Sequence, residues 1–226
     1  MNRSRVLPVA VSFAAAAALL LTGCGGGDKG SSNDKIAGAD DGGAKKTAAP
    51  SKPAPSKAPG IDRPVMKLPS DVSLVFDKTS LSNADQVAAL GDAENFVRSI
   101  VYGVTKQDAN NSAYEFYSEY QSPAQQYAKQ QISKNIDLGL TVTGVGHYTG
   151  ARVQMVKGTK SAVATFCDND TKFYSKEVKS GKIHRTKESV SDYTFWQVGM
   201  TPSAAGKGLW RAKEIKVQGD AAQCGQ

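Results

Sequence analysis

The sequence predicts an α+β domain in which N-terminal helices pack on a curved antiparallel sheet. Three observations carry this expectation. From residue 70 to 226, helical periodicity comes first and strand alternation afterwards, the order of a segregated α+β layout. Two segments, 162–167 and 193–200, are apolar on both faces and belong at the covered centre of a sheet. Two other strands change phase by one residue, which is how a β-bulge and the bend it causes show in a period-two pattern.

The elements follow in order. Asn83 suits an N-cap, and Val87, Leu90, Ala93, Phe96, Val97, Ile100 and Val104 recur at threes and fours, predicting one long helix to about Thr105. Gly91 inside it marks a break or a close contact. After DANN, the aromatics Tyr114, Phe116, Tyr117 and Tyr120 predict a turn or two of helix. Ser122, Pro123 and Gln125 then read as N-cap, first-turn proline and capping-box partner. The helix they start carries Tyr127, Ala128, Ile132 and Ile136 on one side, and Gly139 stops it.

The remainder alternates. Val153 and Met155 against Arg152 and Gln154 mark a strand with one wet face. Leu140 and Val142 give way to Val145 and His147 across Gly144, and Trp210 and Ala212 to Ile215 and Val217; these are the two phase changes.

Ahead of the domain, residues 19–30 read LLLTGCGGGDKG. A Walker A phosphate loop is excluded, because Asp28 occupies the glycine slot and Gly30 follows Lys29 where Ser or Thr is required. Arg3 and Arg5 precede an apolar run from Val6 to Leu21 instead, the layout of a secretory signal peptide over residues 1–23. Leu21-Thr22-Gly23-Cys24 resembles the lipobox of bacterial lipoproteins, which implies a diacylglyceryl group on Cys24 and a mature chain held on the outer face of the cell membrane. Two acyl chains make a durable anchor where one does not. Residues 24–69 are rich in Gly, Ala, Ser, Pro and Lys and too poor in apolar residues to offset the entropy of ordering, so they read as a tether. About 45 such residues span roughly 35–40 Å.

The chain carries a formal charge of +7 over 226 residues, and loss of the leader with its two arginines leaves it basic. Outside the membrane, basic surface faces lipid headgroups or wall polymers rather than nucleic acid. Of three cysteines, lipidation consumes Cys24, leaving Cys167 and Cys224 to pair in an oxidising compartment, with two buried or reactive thiols as the alternative.

GDAENFVRSIVYGVT, SAYEFYSEYQSPAQQYAK, AVATFCDND and the closing tryptophan strand ending in cysteine resemble a group of actinobacterial lipoproteins. Their domain is similar to the NTF2-like, cystatin-related α+β cone. The resemblance covers nearly the whole domain and implies a cone of helices over a bent sheet. It brings no active site, since that fold hosts enzymes, ligand binders and scaffolds.

Chemistry is therefore sought in single residues. Two histidines exclude a His-rich metal site, and no cofactor is expected. His147, on a phase-shifted strand, is a candidate base facing the cone. Glu214, on the other, is a candidate general acid if it points inward. Asp168 and Asp170 in CDNDT resemble the start of a calcium loop but lack its Asp-Gly and distal glutamate, so a hairpin turn is expected and no metal. Lys172, Lys176, Lys179, Lys182, Arg185 and Lys187 surround the turn at 179–182, a cationic arm suited to anionic lipid or wall polymer. Phe96, Tyr102, Tyr127, Tyr193, Trp196 and Trp210 are candidates to line a ligand pocket.

Three readings follow. One is a non-catalytic envelope module that binds a partner through its surface. The second is a carrier holding a small apolar ligand in the cone. The third is a SnoaL-like enzyme using His147 or Glu214.

Overall fold

The computed structural model describes residues 61–204 and 208–225. The expected signal peptide, Cys24 and the tether as far as residue 60 lie outside the described residues. Packing against the core begins upstream of the expected boundary at residue 70. Met66 and Leu68 lie against it. Arg63 forms an ion pair with the buried Asp92.

Helix α1 (Ala84–Lys106) opens at Asn83, whose side chain accepts from the amides of Asp85 and Gln86 and so satisfies two donors that the first turn leaves unpaired. Leu90, Ala93, Phe96, Val97, Ile100 and Val104 form its buried stripe; Val87, expected on that stripe, is 52% exposed. A Cβ added at Gly91 would meet nothing within 4 Å, and the helix runs unbroken through it. The close approach is at Gly103 instead, where an added Cβ would overlap Asn111 Nδ2 and Ile132 Cδ1.

Asn111 caps α2 (Ser112–Tyr117), the short aromatic helix. Helix α3 (Pro123–Asp137) has Ser122 Oγ accepting from the Gln125 amide at 3.1 Å. Gln125 Oε1 reaches past the cap to the Gln121 amide, 2.8 Å away. Gly139, at φ 67°, ends α3 as expected, because only glycine adopts that conformation without strain.

The sheet runs in the order β1 (Val72–Phe76), β2 (Leu140–Met155), β3 (Ala162–Glu177), β5 (Tyr193–Pro202), β6 (Trp210–Gln218), with the two-residue β4 (Ile183–His184) paired to β3. It is mixed rather than purely antiparallel, because β1 pairs with β2 in parallel register, Leu74 opposite Gly146. Even-numbered residues of β3 and β5 (Ala162, Ala164, Phe166, Asp168; Trp196, Val198, Met200) turn to the helices, and with α1 and α3 they form the core. The disulfide between Cys167 and Cys224, Cα atoms 5.3 Å apart, ties the C-terminus to β3.

The bulge expected in β6 is present: Glu214 pairs with Gly199 and Ala212 with Met200, so Lys213 is the extra residue. The phase change expected at Gly144 is not there. The β2–β3 ladder is continuous from Leu140 to Val145, and the extra residue lies on β3, where Asp170 and Thr171 together oppose Gly146. A second bulge falls at Gly150–Ala151, opposite Phe166. CDNDT is accordingly no hairpin turn but the middle of β3.

Candidate functional site

A cavity of about 160 Å³ opens between α1, α3 and the inner face of the sheet. Helix α1 contributes Val97, Ile100, Val101 and Val104, and α3 contributes Tyr127, Gln131 and Asn135. The sheet side is Val142 and Tyr148 of β2, Asp168, Asp170 and Phe173 of β3, and Trp196 of β5. An apolar cavity of about 150 Å³ is enough for a benzene ring, so this one suits a molecule of that order.

The strand period puts two acids in this wall. Residues 166, 168 and 170 occupy the inward phase of β3, and the bulge at Asp170–Thr171 then brings Phe173 inward as well. Asn169 shapes the bulge, its Oδ1 accepting from both the amide and the hydroxyl of Thr171. Gly146 leaves room for the acid opposite: a Cβ there would come within 3.5 Å of Asp170 Oδ1.

Asp168 is 4% exposed, and its Oδ2 accepts a bond from Trp196 Nε1 at 3.3 Å. Tyr148 and the Asp170 carboxyl lie beside it. Even so, no donor reaches Asp168 Oδ1 or Asp170 Oδ1 with hydrogen-bond geometry. Among the described residues no ion pair reaches either acid. Arg98 on α1 lies instead over the Phe76 ring, 5.2 Å from its centroid.

The electrostatic consequence follows from burial. Burial raises the Asp168 pKa well above the usual carboxylate range, and the neighbouring Asp170 charge raises it further, against the Trp196 N–H. Burial also pushes Asp170 up to about 6, with the adjacent Asp168 carboxyl opposing the rise and the Asp192 charge adding to it. Tyr127 is pushed up to about 12, by burial and then by the Asp168 charge. At neutral pH the pair therefore keeps a proton, as two carboxyls sharing one apolar site must.

Two of the expected pocket residues, Tyr127 and Trp196, do line the cavity, with ring centroids 5.9 Å apart and planes nearly perpendicular. The other four do not. Phe96 and Trp210 are packed in the core. Tyr102 flanks a separate surface depression with Pro64 and Val65 and has Lys106 over its ring. Tyr193 lies on the outer face and donates to Glu188.

Neither catalytic candidate faces the cavity. Because β2 keeps its phase past Gly144, His147 points outward, 44% exposed, with Nε2 2.8 Å from Asp77 Oδ1. Glu214 is exposed on the outer face of β6 beside Gly199. The cationic arm exists as a β3–β4 hairpin, closed by Gly181 at φ 71° and a bond from the Glu177 amide to Lys182 O. Lys176 pairs with Asp71 and Arg185 stacks over Tyr174, so part of its charge is engaged within the domain. No cluster of three or more His, Cys, Asp or Glu side chains suited to a metal occurs among the described residues.

No protein-family model matches the chain, and no curated protein matches it. Among solved structures, the chain is similar to a protein of Catenulispora acidiphila determined at 2.5 Å, with a TM-score of 0.39 and 7% identity, covering 62% of this chain and 97% of that one.

Proposed function

We propose that the protein is a lipid-anchored envelope protein whose domain holds a small molecule in the cavity between α1, α3 and the sheet. The cationic start, apolar run and Leu21-Thr22-Gly23-Cys24 support the anchor. The Cys167–Cys224 disulfide fits an oxidising compartment outside the membrane. No helix among the described residues is long and apolar enough to cross a membrane.

One observation carries the binding reading: Asp168 and Asp170 line a largely apolar cavity whose other polar side chains are Gln131 and Asn135, and each acid has a buried carboxyl oxygen without a hydrogen-bond partner. A buried polar atom without a hydrogen bond costs about 1–3 kcal/mol, and core packing alone gives no return for two of them on one wall. A ligand that donates hydrogen bonds to them recovers that cost. The surface-module reading has less support, since Lys176 and Arg185 are engaged within the domain. The enzyme reading loses both residues it relied on, because His147 and Glu214 lie on the outer face.

Native mass spectrometry of the exported protein tests the reading. The expected spectrum shows a discrete non-covalent adduct that disappears when Val101→Trp fills the cavity. A bare mass for the wild type, unchanged after incubation with an envelope small-molecule extract, contradicts it.

A further inference from the structure

We propose that the cavity selects a small organic cation, its ammonium group against Asp168 and Asp170 and its apolar body against Tyr127 and Trp196. This rests on the binding reading above and names the ligand class. Asp168 Oδ1 and Asp170 Oδ1 are acceptors without donors, and neither carboxyl has a cationic partner among the described residues. An anionic ligand would add a second negative charge beside a desolvated pair that already carries one, and is excluded on that ground. A compact –NH₃⁺ brings three donors and one positive charge, which suits two neighbouring carboxyls and offsets the charge they develop.

The aromatic wall points the same way. Tyr127 and Trp196 meet edge to face at 5.9 Å, and Tyr148 and Phe173 line the same cavity. Aromatic faces attract cations most strongly where water is excluded, and aromatic cages are a recurrent means of holding ammonium groups. Size sets the remainder: about 160 Å³ admits one ring with an aminomethyl arm and little more.

Protons compete for the same oxygens. The groups that bear on the pair are Tyr127 of α3, Tyr148 of β2 and Asp192 ahead of β5, while Arg98 of α1 acts on Tyr148. None of the first three brings positive charge at neutral pH, so a cation binds by displacing the shared proton and binds more weakly as the pH falls.

Calorimetric titration of the full chain at pH 7.5 with benzylamine and with benzyl alcohol, its neutral analogue, decides the matter. The expected result is at least tenfold tighter binding of benzylamine, a preference lost in the Asp168→Asn/Asp170→Asn variant and reduced at pH 5 in the wild type. Equal or tighter binding of benzyl alcohol by the wild type overturns the cation assignment and leaves the cavity a binding site. So does a preference that survives in the double variant. Failure of both probes to bind folded wild-type protein overturns the assignment together with the binding reading.

Discussion

Asp168 and Asp170 stand two residues apart on β3 with both carboxyls in the same cavity wall, and the Oδ1 atom of each is buried without a hydrogen-bond partner. The strand period places them there, and the bulge that follows lets Phe173 share the wall. Most of what can be tested about this protein follows from that pair.

Stability of the ligand-free domain should fall as the pH rises. Both folded-state pKa values lie above those of the unfolded chain, so the native state holds protons that the unfolded state has released. The contribution is fully present below about pH 4 and lost as the pH passes through about 6, the value for Asp170. Raising one aspartate from 3.8 to about 6 corresponds to roughly 3 kcal/mol. Urea denaturation from pH 4 to pH 8 should show Asp170→Asn gaining on the wild type across that window; a constant difference contradicts the prediction.

Gly103→Ala should destabilise the fold despite alanine's better helix propensity. Alanine gains up to about 1 kcal/mol in a helix interior. The added methyl, however, meets Ile132 and the Asn111 side chain where α1 crosses its neighbours. Overpacking of this kind costs about 1–3 kcal/mol, so a net loss is expected in thermal melts. Gly91→Ala, with open space around it, should be neutral or stabilising and serves as the control.

Arg63→Ala should cost about 3 kcal/mol. Asp92 is 2% exposed and bonds to Arg63 and, at 2.8 Å, to the Trp210 amide. Removing the guanidinium leaves a buried charge half compensated. Asp92→Asn, which keeps an acceptor for the Trp210 amide, should offset part of that loss in the double variant; additive losses would contradict the coupling.

Breaking the disulfide should lower stability by about 4 kcal/mol on the chain-entropy account, given the 57-residue separation. Comparison of Cys167→Ser/Cys224→Ser with the oxidised wild type in urea measures it. The buried Ala221, whose amide bonds to Tyr193 O, should lose amide protection from exchange first, because the C-terminal turn would then hold only by such contacts.

Local signals in the sequence translated directly into structure. Asn83, Ser122 with Pro123, and Gly139 punctuate the helices because caps and turns depend on residues within a few positions. The β6 bulge was readable because Trp210, Ala212, Ile215 and Val217 all point inward. What depended on pairing partners was not. Strand β1 is five residues long and finds its parallel partner far along the chain. The residues around Gly144 suggested a phase change that pairing with β3 places on the other strand, which is why His147 faces out. CDNDT has the composition of a turn, and two long neighbouring strands override that preference. The acid pair is missed because CDNDT reads as a turn; the signal that could have found it is phase, since Phe166, Asp168 and Asp170 continue the period of a strand expected at the centre of the sheet.

Carboxyl ¹³C NMR of the aspartates, titrated from pH 3 to pH 9 in the ligand-free protein, tests the acid pair most directly. Asp170 is expected to titrate near 6 and Asp168 to keep its proton to higher pH. Independent titration of both near the ordinary aspartate value would mean that water reaches the two oxygens freely, and would contradict the buried, unpartnered pair on which the binding site is built.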